Sequence, residues 1–571
     1  MRRTKPLAVV AGAALFALAA CGGDGGSSDD ETGGGFQDSA EAIAKDAKRQ
    51  GPAAEVEGAT AGGTITVLLN GDPGPEDLDP TNGWSVTGNS IQQALTSRSL
   101  TQYSYDPESK EMVLVPDLAV DLGTPNDDFT EWTFDIRKDA TWEDGSLITA
   151  EEVAWGITRS MDSTQFPSGP GTEYSQTYFL DAGKYQGPYT DKGKEWKGVS
   201  FDAEANSVTI KMAKPFPDMD YWGAFMAMGP APLGDESQPP DYGQNIKANG
   251  PYKVESFRPG EELVLVKNDQ WVADTDPARH QYADKWIFKF NADQAQSDQV
   301  MLSDNTDSET SLAIGLGSNN YTKAVDQLQD RLVQQSAQCT SFLAPDYATT
   351  DVNFRKAIAY AYPYEDVWTA SGEVPGVTRV PANSIMPPGM AGKHDYYVDG
   401  EQFVFDTEKA KELLAESDTP AKIKMIFYEV DPLAVAAQKV IKRAFEEAGF
   451  EVEQVAVQDS PYATWTNPDD KLNKSLNLRG VNWCSDWPSG LTMLPPLVKT
   501  GATYNTAFFS EKSVDDRMAE IPLLPLDEQA DAWGALDESL STEFFPIIPT
   551  AFRNELFAFG TKIGNPSGDG A

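Results

Sequence analysis

Residues 421–457 read AKIKMIFYEVDPLAVAAQKVIKRAFEEAGFEVEQVAV. Ile423, Met425 and Phe427 recur at every second position, which predicts a strand with one buried face. Asp431 stands where a helix N-cap is needed, and Pro432 takes the first helical position, where a missing N–H costs nothing. Leu433, Ala436, Ala437, Val440, Ile441, Ala444, Phe445 and Ala448 then recur at helical spacing. Gly449 ends the helix, and Phe450, Val452, Val455 and Val457 start a second strand. This is a βαβ unit, so its strands are expected to be parallel with a right-handed crossover. The fold class is therefore α/β.

Downstream, a further strand from Leu476 to Trp483 runs into Cys484-Ser485-Asp486-Trp487-Pro488-Ser489-Gly490. Ligands of open α/β sheets sit beyond the carboxyl ends of strands, so position alone makes the Asp486 loop a candidate site. Upstream, Ile65, Val67 and Leu69 alternate in a strand, as do Trp132, Phe134 and Ile136. Thr149 and Glu152 form a capping box before a helix whose apolar stripe is Ala150, Val153, Ala154 and Ile157.

The chain has 571 residues, more than one hydrophobic core usually serves, so two or more domains are expected. With 45 Lys+Arg against 88 Asp+Glu, the formal net charge is −43. That charge excludes nucleic acid as a partner and electrostatic adhesion to anionic lipid. Its ordinary role is solubility; its sharper one is a field that tolerates cationic ligands. Two His and three Cys exclude zinc fingers, His-rich metal sites and four-Cys clusters, so no metal or cofactor is expected. No G-x-S-x-G, H-E-x-x-H or C-x-x-C occurs, and His280 and His394 lie among polar residues, so no enzyme is expected.

Arg2, Arg3 and Lys5 precede the apolar run LAVVAGAALFALAA at 7–20. The run is short for a membrane span and fits a signal-peptide core. Leu18-Ala19-Ala20-Cys21-Gly22 resembles a bacterial lipobox, which implies lipidation of Cys21 and a signal peptide over 1–21. Residues 22–62 are polar and glycine-rich and are expected to be a disordered tether. Cys339 and Cys484 remain, and in an oxidising compartment two such thiols commonly pair; buried free thiols are the alternative.

Several fragments then recur in a familiar order: Leu78-Asp79-Pro80, Val115-Pro-Asp-Leu-Ala119, Trp132-Thr-Phe-Asp-Ile-Arg137 and Glu143-Asp-Gly145. Asn249-Gly-Pro-Tyr-Lys253, Asn268-Asp-Gln-Trp271, Phe354-Arg-Lys-Ala-Ile-Ala-Tyr-Ala361, Pro387-Pro-Gly389, Phe405-Asp-Thr-Glu-Lys-Ala410 and Phe545-Pro-Ile-Ile-Pro549 follow. Over roughly residues 63 to 565 the chain resembles the family of dipeptide and oligopeptide solute-binding proteins of ABC importers, known as extracellular solute-binding family 5. The resemblance implies a two-lobed, periplasmic-binding-protein-like fold that closes on its ligand. Lobe I would hold 63–337 and 529–571, with an inserted subdomain at about 105–245, and lobe II would hold 338–528. Oligopeptide binders of this family carry a disulfide at positions matching Cys339 and Cys484, which adds to the pairing above.

The resemblance also assigns a site. The segment Trp483-Cys484-Ser485-Asp486-Trp487 matches a W-C-x-D-[YW] pattern whose Asp pairs with a peptide's α-ammonium. A free amino terminus enclosed in a cleft needs a carboxylate, because a buried unpaired charge is costly. Main-chain groups of Asn482 and Cys484 would pair with the peptide as an added strand. The opposite wall would be Asn82, Gly83, Trp84 and Ser85, with Trp84, Trp483 and Trp487 lining side-chain pockets. Ser489-Gly490 stands where the family usually has a second Asp and Pro, which alters the pocket edge. The implied partners are a short peptide, ABC permease subunits and, through Cys21, the outer face of the cell membrane; a monomer is expected. Alternatives on the same scaffold are an oligosaccharide, a siderophore or metal chelate, or a signalling peptide. An exported hydrolase and a surface adhesin or chaperone are alternatives of other classes.

Overall fold

The computed structural model describes residues 44–106, 111–303 and 305–565. The signal peptide, Cys21 and the first half of the expected tether lie outside the described residues.

Two long strands organise the molecule. Leu332–Pro345 and Ile548–Phe559 pair antiparallel, from Leu332 opposite Ala558 to Leu343 opposite Ile548. One end of this ladder carries lobe I: Ser311–Ile314 joins Ile548–Phe559 at Phe557 to Phe559, and Thr64–Asn70 and Lys285–Ala292 follow. Glu262–Lys267 and Tyr252–Arg258 complete that side. The other end carries lobe II: Leu478–Cys484 pairs with Leu332–Pro345 from Cys339 to Pro345 and forms the sheet edge. The lobes therefore share one sheet, crossed twice by the chain.

The ladder breaks between Ser336 and Cys339, where Gln338 takes a left-handed φ of 46°. A bulge bends and twists its strand, so the two ends of the ladder point into different lobes. Cys339 and Cys484 lie directly opposite in register and are joined by a disulfide.

The unit read first from the sequence forms as expected. Lys422–Tyr428 and Glu451–Val457 are parallel, with the helix Pro432–Glu447 between them. Asp431 accepts the Leu433 N–H, and Ile441 and Phe445 bury the helix face. In the inserted subdomain Thr149 and Glu152 form the capping box, and Val153 and Ile157 reach a core with Trp132, Phe134, Val208 and Ile210.

Two expected boundaries are placed differently. Residues 44–62 are not a free tether. Ala44 O accepts from Leu114 N, Asp46 N donates to Leu114 O, Lys45 pairs with Asp220 at 2.7 Å, and Ala53 is buried. These contacts are main-chain bonds and one lysine, which apolar periodicity does not register. The return to lobe I also comes later than 529. Helix Leu526–Ser539 buries Ala532, Trp533 and Leu536 against Phe342, Val481 and Met493 of lobe II, so the crossing begins at Ile548.

Cleaving the Cys339–Cys484 bridge should destabilise the protein. A long closed loop restricts the unfolded chain, so Cys339→Ser with Cys484→Ser is expected to cost about 2–5 kcal/mol. Urea unfolding of the double variant against the parent checks this.

Candidate functional site

The site loop is tied down on both sides. Edge strand Leu478–Cys484 ends at the disulfide, and Ser485 bonds to the bulge through its N–H to Gln338 O at 3.1 Å and its hydroxyl to Gln338 Oε1 at 3.0 Å. Across the cleft, the loop leading to Trp84 is pinned by Arg159. This buried guanidinium is ion-paired with Asp79 and donates to Thr81 Oγ1 at 2.6 Å. Asp486 and Trp84 are thus presented by separate lobes on anchored loops.

They meet. Asp486 Oδ1 accepts the Trp84 indole N–H at 3.1 Å, and Oδ2 accepts the Tyr174 hydroxyl. Burial raises the Asp486 pKa above its ordinary value, and the two hydrogen bonds oppose that rise. Among the described residues no lysine or arginine is paired with it. Beside this contact lies a cavity of about 370 Å³, lined by Trp84, Tyr103, Tyr105, Phe225, Ser485 and Asp486 among others.

The other predicted residues fall into three groups. Asn482 lies on the sheet edge, and its main-chain N–H and C=O both bond to the Tyr462 hydroxyl, at 2.7 and 3.2 Å. Residues two apart on a strand face the same way, so Cys484 presents its main chain on the same side. Asn82, Gly83 and Ser85 do not line the cavity but build its wall. Asn82 bonds to Asp77 at 2.8 Å, and Ser85 caps helix Val86–Ile91 by accepting from Gly88. Gly83 has no side chain where Asn89 Oδ1 and Gln92 Nε2 approach.

Two tryptophans expected in ligand pockets are elsewhere. Trp483 turns into lobe II, where its indole N–H donates to Thr492 O at 2.8 Å and its ring sits 4.6 Å from Tyr504. Trp487 is only 3% exposed and enters the core of the inserted subdomain. Its ring lies 4.7 Å from Tyr174 and near Phe216, Trp222 and Phe225, and its N–H donates to Asp218 at 2.7 Å. An indole is largely apolar with a single donor, so a closed aromatic socket with one carboxylate satisfies it completely. The sequence reading missed Tyr174, Tyr103, Tyr105 and Phe225. Only Tyr103 and Tyr105 had a signal, two aromatics on one face of a strand.

The family model for "Bacterial extracellular solute-binding proteins, family 5 Middle" matches residues 113–505. The chain is a family 5 solute-binding protein. Its family comprises extracellular binding proteins, not enzymes. It is 24% identical over 428 residues to the periplasmic oligopeptide-binding protein OppA of Escherichia coli, covering 69% of this chain and 71% of OppA. Among solved structures, the clavulanic acid biosynthesis oligopeptide binding protein 2 superposes with a TM-score of 0.77 at 22% identity, covering 90% of this chain and 95% of that one. The unliganded open form of the murein tripeptide binding protein MppA gives 0.67 at 18% identity, covering 89% and 97%. These likenesses show the two-lobed periplasmic-binding fold.

The lobe contact of this solute-binding protein has a charge imbalance with consequences. Burial raises the pKa of Asp486, Asp218 and Glu173, and the Asp486 charge raises Glu173 further. An acid whose pKa is raised on closure holds its proton more tightly when closed. Its favourable contribution is fully present below the ordinary carboxylate range and is lost as pH rises through the raised values. Without ligand, the radius of gyration from small-angle scattering should therefore be smaller at pH 4.5 than at pH 7, as an order-of-magnitude choice of window about the usual carboxylate pKa. Trp487→Ala empties a buried socket, a change worth about 3–5 kcal/mol in protein cores, and should expand the radius at both pH values.

Proposed function

We propose that this chain is the lipid-anchored, extracellular binding component of an ABC importer, and that it captures short peptides by lobe closure and passes them to a permease. The observation that carries this reading is Asp486: a carboxylate at the lobe junction, on the wall of a cavity, met only by the neutral donors Trp84 and Tyr174. A peptide's α-ammonium supplies the missing charge and the donors to go with it. The main-chain edge at Asn482 and Cys484 offers strand pairing, which reads backbone and ignores side chains. An incoming strand would take the place of the Tyr462 hydroxyl at Asn482. The relatives named for oligopeptide binding agree with this reading. Lipidation at Cys21 supplies the anchor, and the protein works as a monomer.

Free-amino tripeptides should bind and their N-acetylated forms should not. Asp486→Ala should weaken the free peptides by about 2–5 kcal/mol, the usual result of truncating one partner of a buried charge pair. Titration calorimetry reads both. Equal heats for free and acetylated peptides would remove Asp486 from the role. A sugar ligand would instead bind regardless of Asp486, and native mass spectrometry of the protein as purified would identify it.

A further inference from the structure

The cavity beside Asp486 is larger than an ammonium group needs, and its walls carry a second message. Four aromatic side chains line it: Trp84, Tyr103, Tyr105 and Phe225. The faces of such rings attract cations. A cation held over such rings and next to a carboxylate is stabilised twice, by the ring faces and by Asp486.

The charges around the cavity point the same way. Asp486 lies in its wall, and the charges of Asp220 and Asp218 act on Tyr103, which lines it. Glu173 lies close enough for the Asp486 charge to act on it. The cations nearby are already committed. Lys45 is paired with Asp220. Arg279, which lines the cavity, is bound to Asp117 at 3.0 Å and Asp276 at 3.2 Å. His280 also lines it, and burial lowers its pKa, which favours the neutral ring. The space next to Asp486 is therefore aromatic and flanked by acids, with its nearby cations already paired.

We infer that this cavity holds the first side chain of the bound peptide and selects a cationic, hydrogen-bond-donating one, lysine or arginine. The inference rests on the peptide reading above, because Asp486 takes the terminal ammonium and the ring faces take the side-chain cation. Leucine-like first residues fit the rings but gain nothing from the negative field beside them. Acidic first residues meet the field of Asp486 directly.

Calorimetry on the wild-type protein with tripeptides X-Ala-Ala decides it. Lysine is compared with norleucine, its uncharged analogue in length, and arginine with citrulline, its neutral near-isostere. The charged member of each pair should bind at least about tenfold tighter, as a desolvated cation–π contact implies. Tyr105→Leu, which removes one ring, should lower the lysine-to-norleucine ratio by about threefold or more. If all four peptides bind alike and all lose binding on acetylation, the amino-terminal role of Asp486 stands and the selectivity is refuted. If none binds, both readings fall.

Discussion

Closure depends on one inserted side chain. Trp487 leaves lobe II and fills an aromatic socket in the inserted subdomain, with Asp218 taking its N–H. This fixes the loop, and the residue before it, Asp486, must then lie between Trp84 and Tyr174. The apolar contact supplies attraction between the lobes, while the carboxylate beside it loses water. Unliganded closure therefore sets a favourable burial against an unfavourable desolvation. In the proposed reading, a ligand cation would remove the second without disturbing the first. That differential is what lets a ligand shift the lobes toward each other, since a ligand moves a conformational equilibrium only by its preference for one state.

The hinge and the site are joined by short connections. The bulge at Gln338 interrupts the crossing ladder, and Ser485 bonds to that same residue through both main chain and side chain. The disulfide holds Cys484 to the strand on the lobe II side of the bulge. These bonds tie the Asp486 loop to the bulge and to the lobe II strand, so any bending at the bulge would move the loop with that strand. Binding loops on rigid strands position charged groups more precisely than free loops do.

How much of this the sequence shows depends on the kind of signal each part leaves. The βαβ unit at 421–457 is legible because its periodicity, N-cap and stop residues all agree. Asp486 comes to the lobe junction, but not for the strand-end reason: Leu478–Cys484 is an antiparallel edge strand, and the carboxyl-end rule belongs to parallel sheets. The places of Trp483 and Trp487 are not legible. An indole serves a core and a ligand pocket equally well, and only the third dimension shows that each finds its donor's partner inside the protein. Residues 44–62 mislead for the opposite reason: their contacts are main-chain bonds and a lysine pair, and polar composition reads as slack chain. The lobe that helix Leu526–Ser539 packs against is a matter of topology, set by where the second crossing strand begins, which local periodicity does not show.

The overall charge of −43 invites a simple account in which the whole surface draws in cations. Screening argues against that as the source of selectivity, because exposed charges farther than about 8–10 Å act weakly at ordinary salt. What survives screening is charge removed from water. Near the lobe junction Asp218 is buried and burial raises the Asp486 pKa, whereas Glu173 stays exposed. Elsewhere, buried acids such as Asp117 and Asp276 are answered in place by Arg98 and Arg279, and Asp79 by Arg159. Other buried acids, Asp162, Asp298 and Asp537, are held by hydrogen bonds without an ion pair among the described residues, so what sets Asp486 apart is its place at the lobe junction on a cavity wall. A carboxylate with hydrogen bonds but no countercharge is poorly stabilised by itself, and that deficit is available to a ligand.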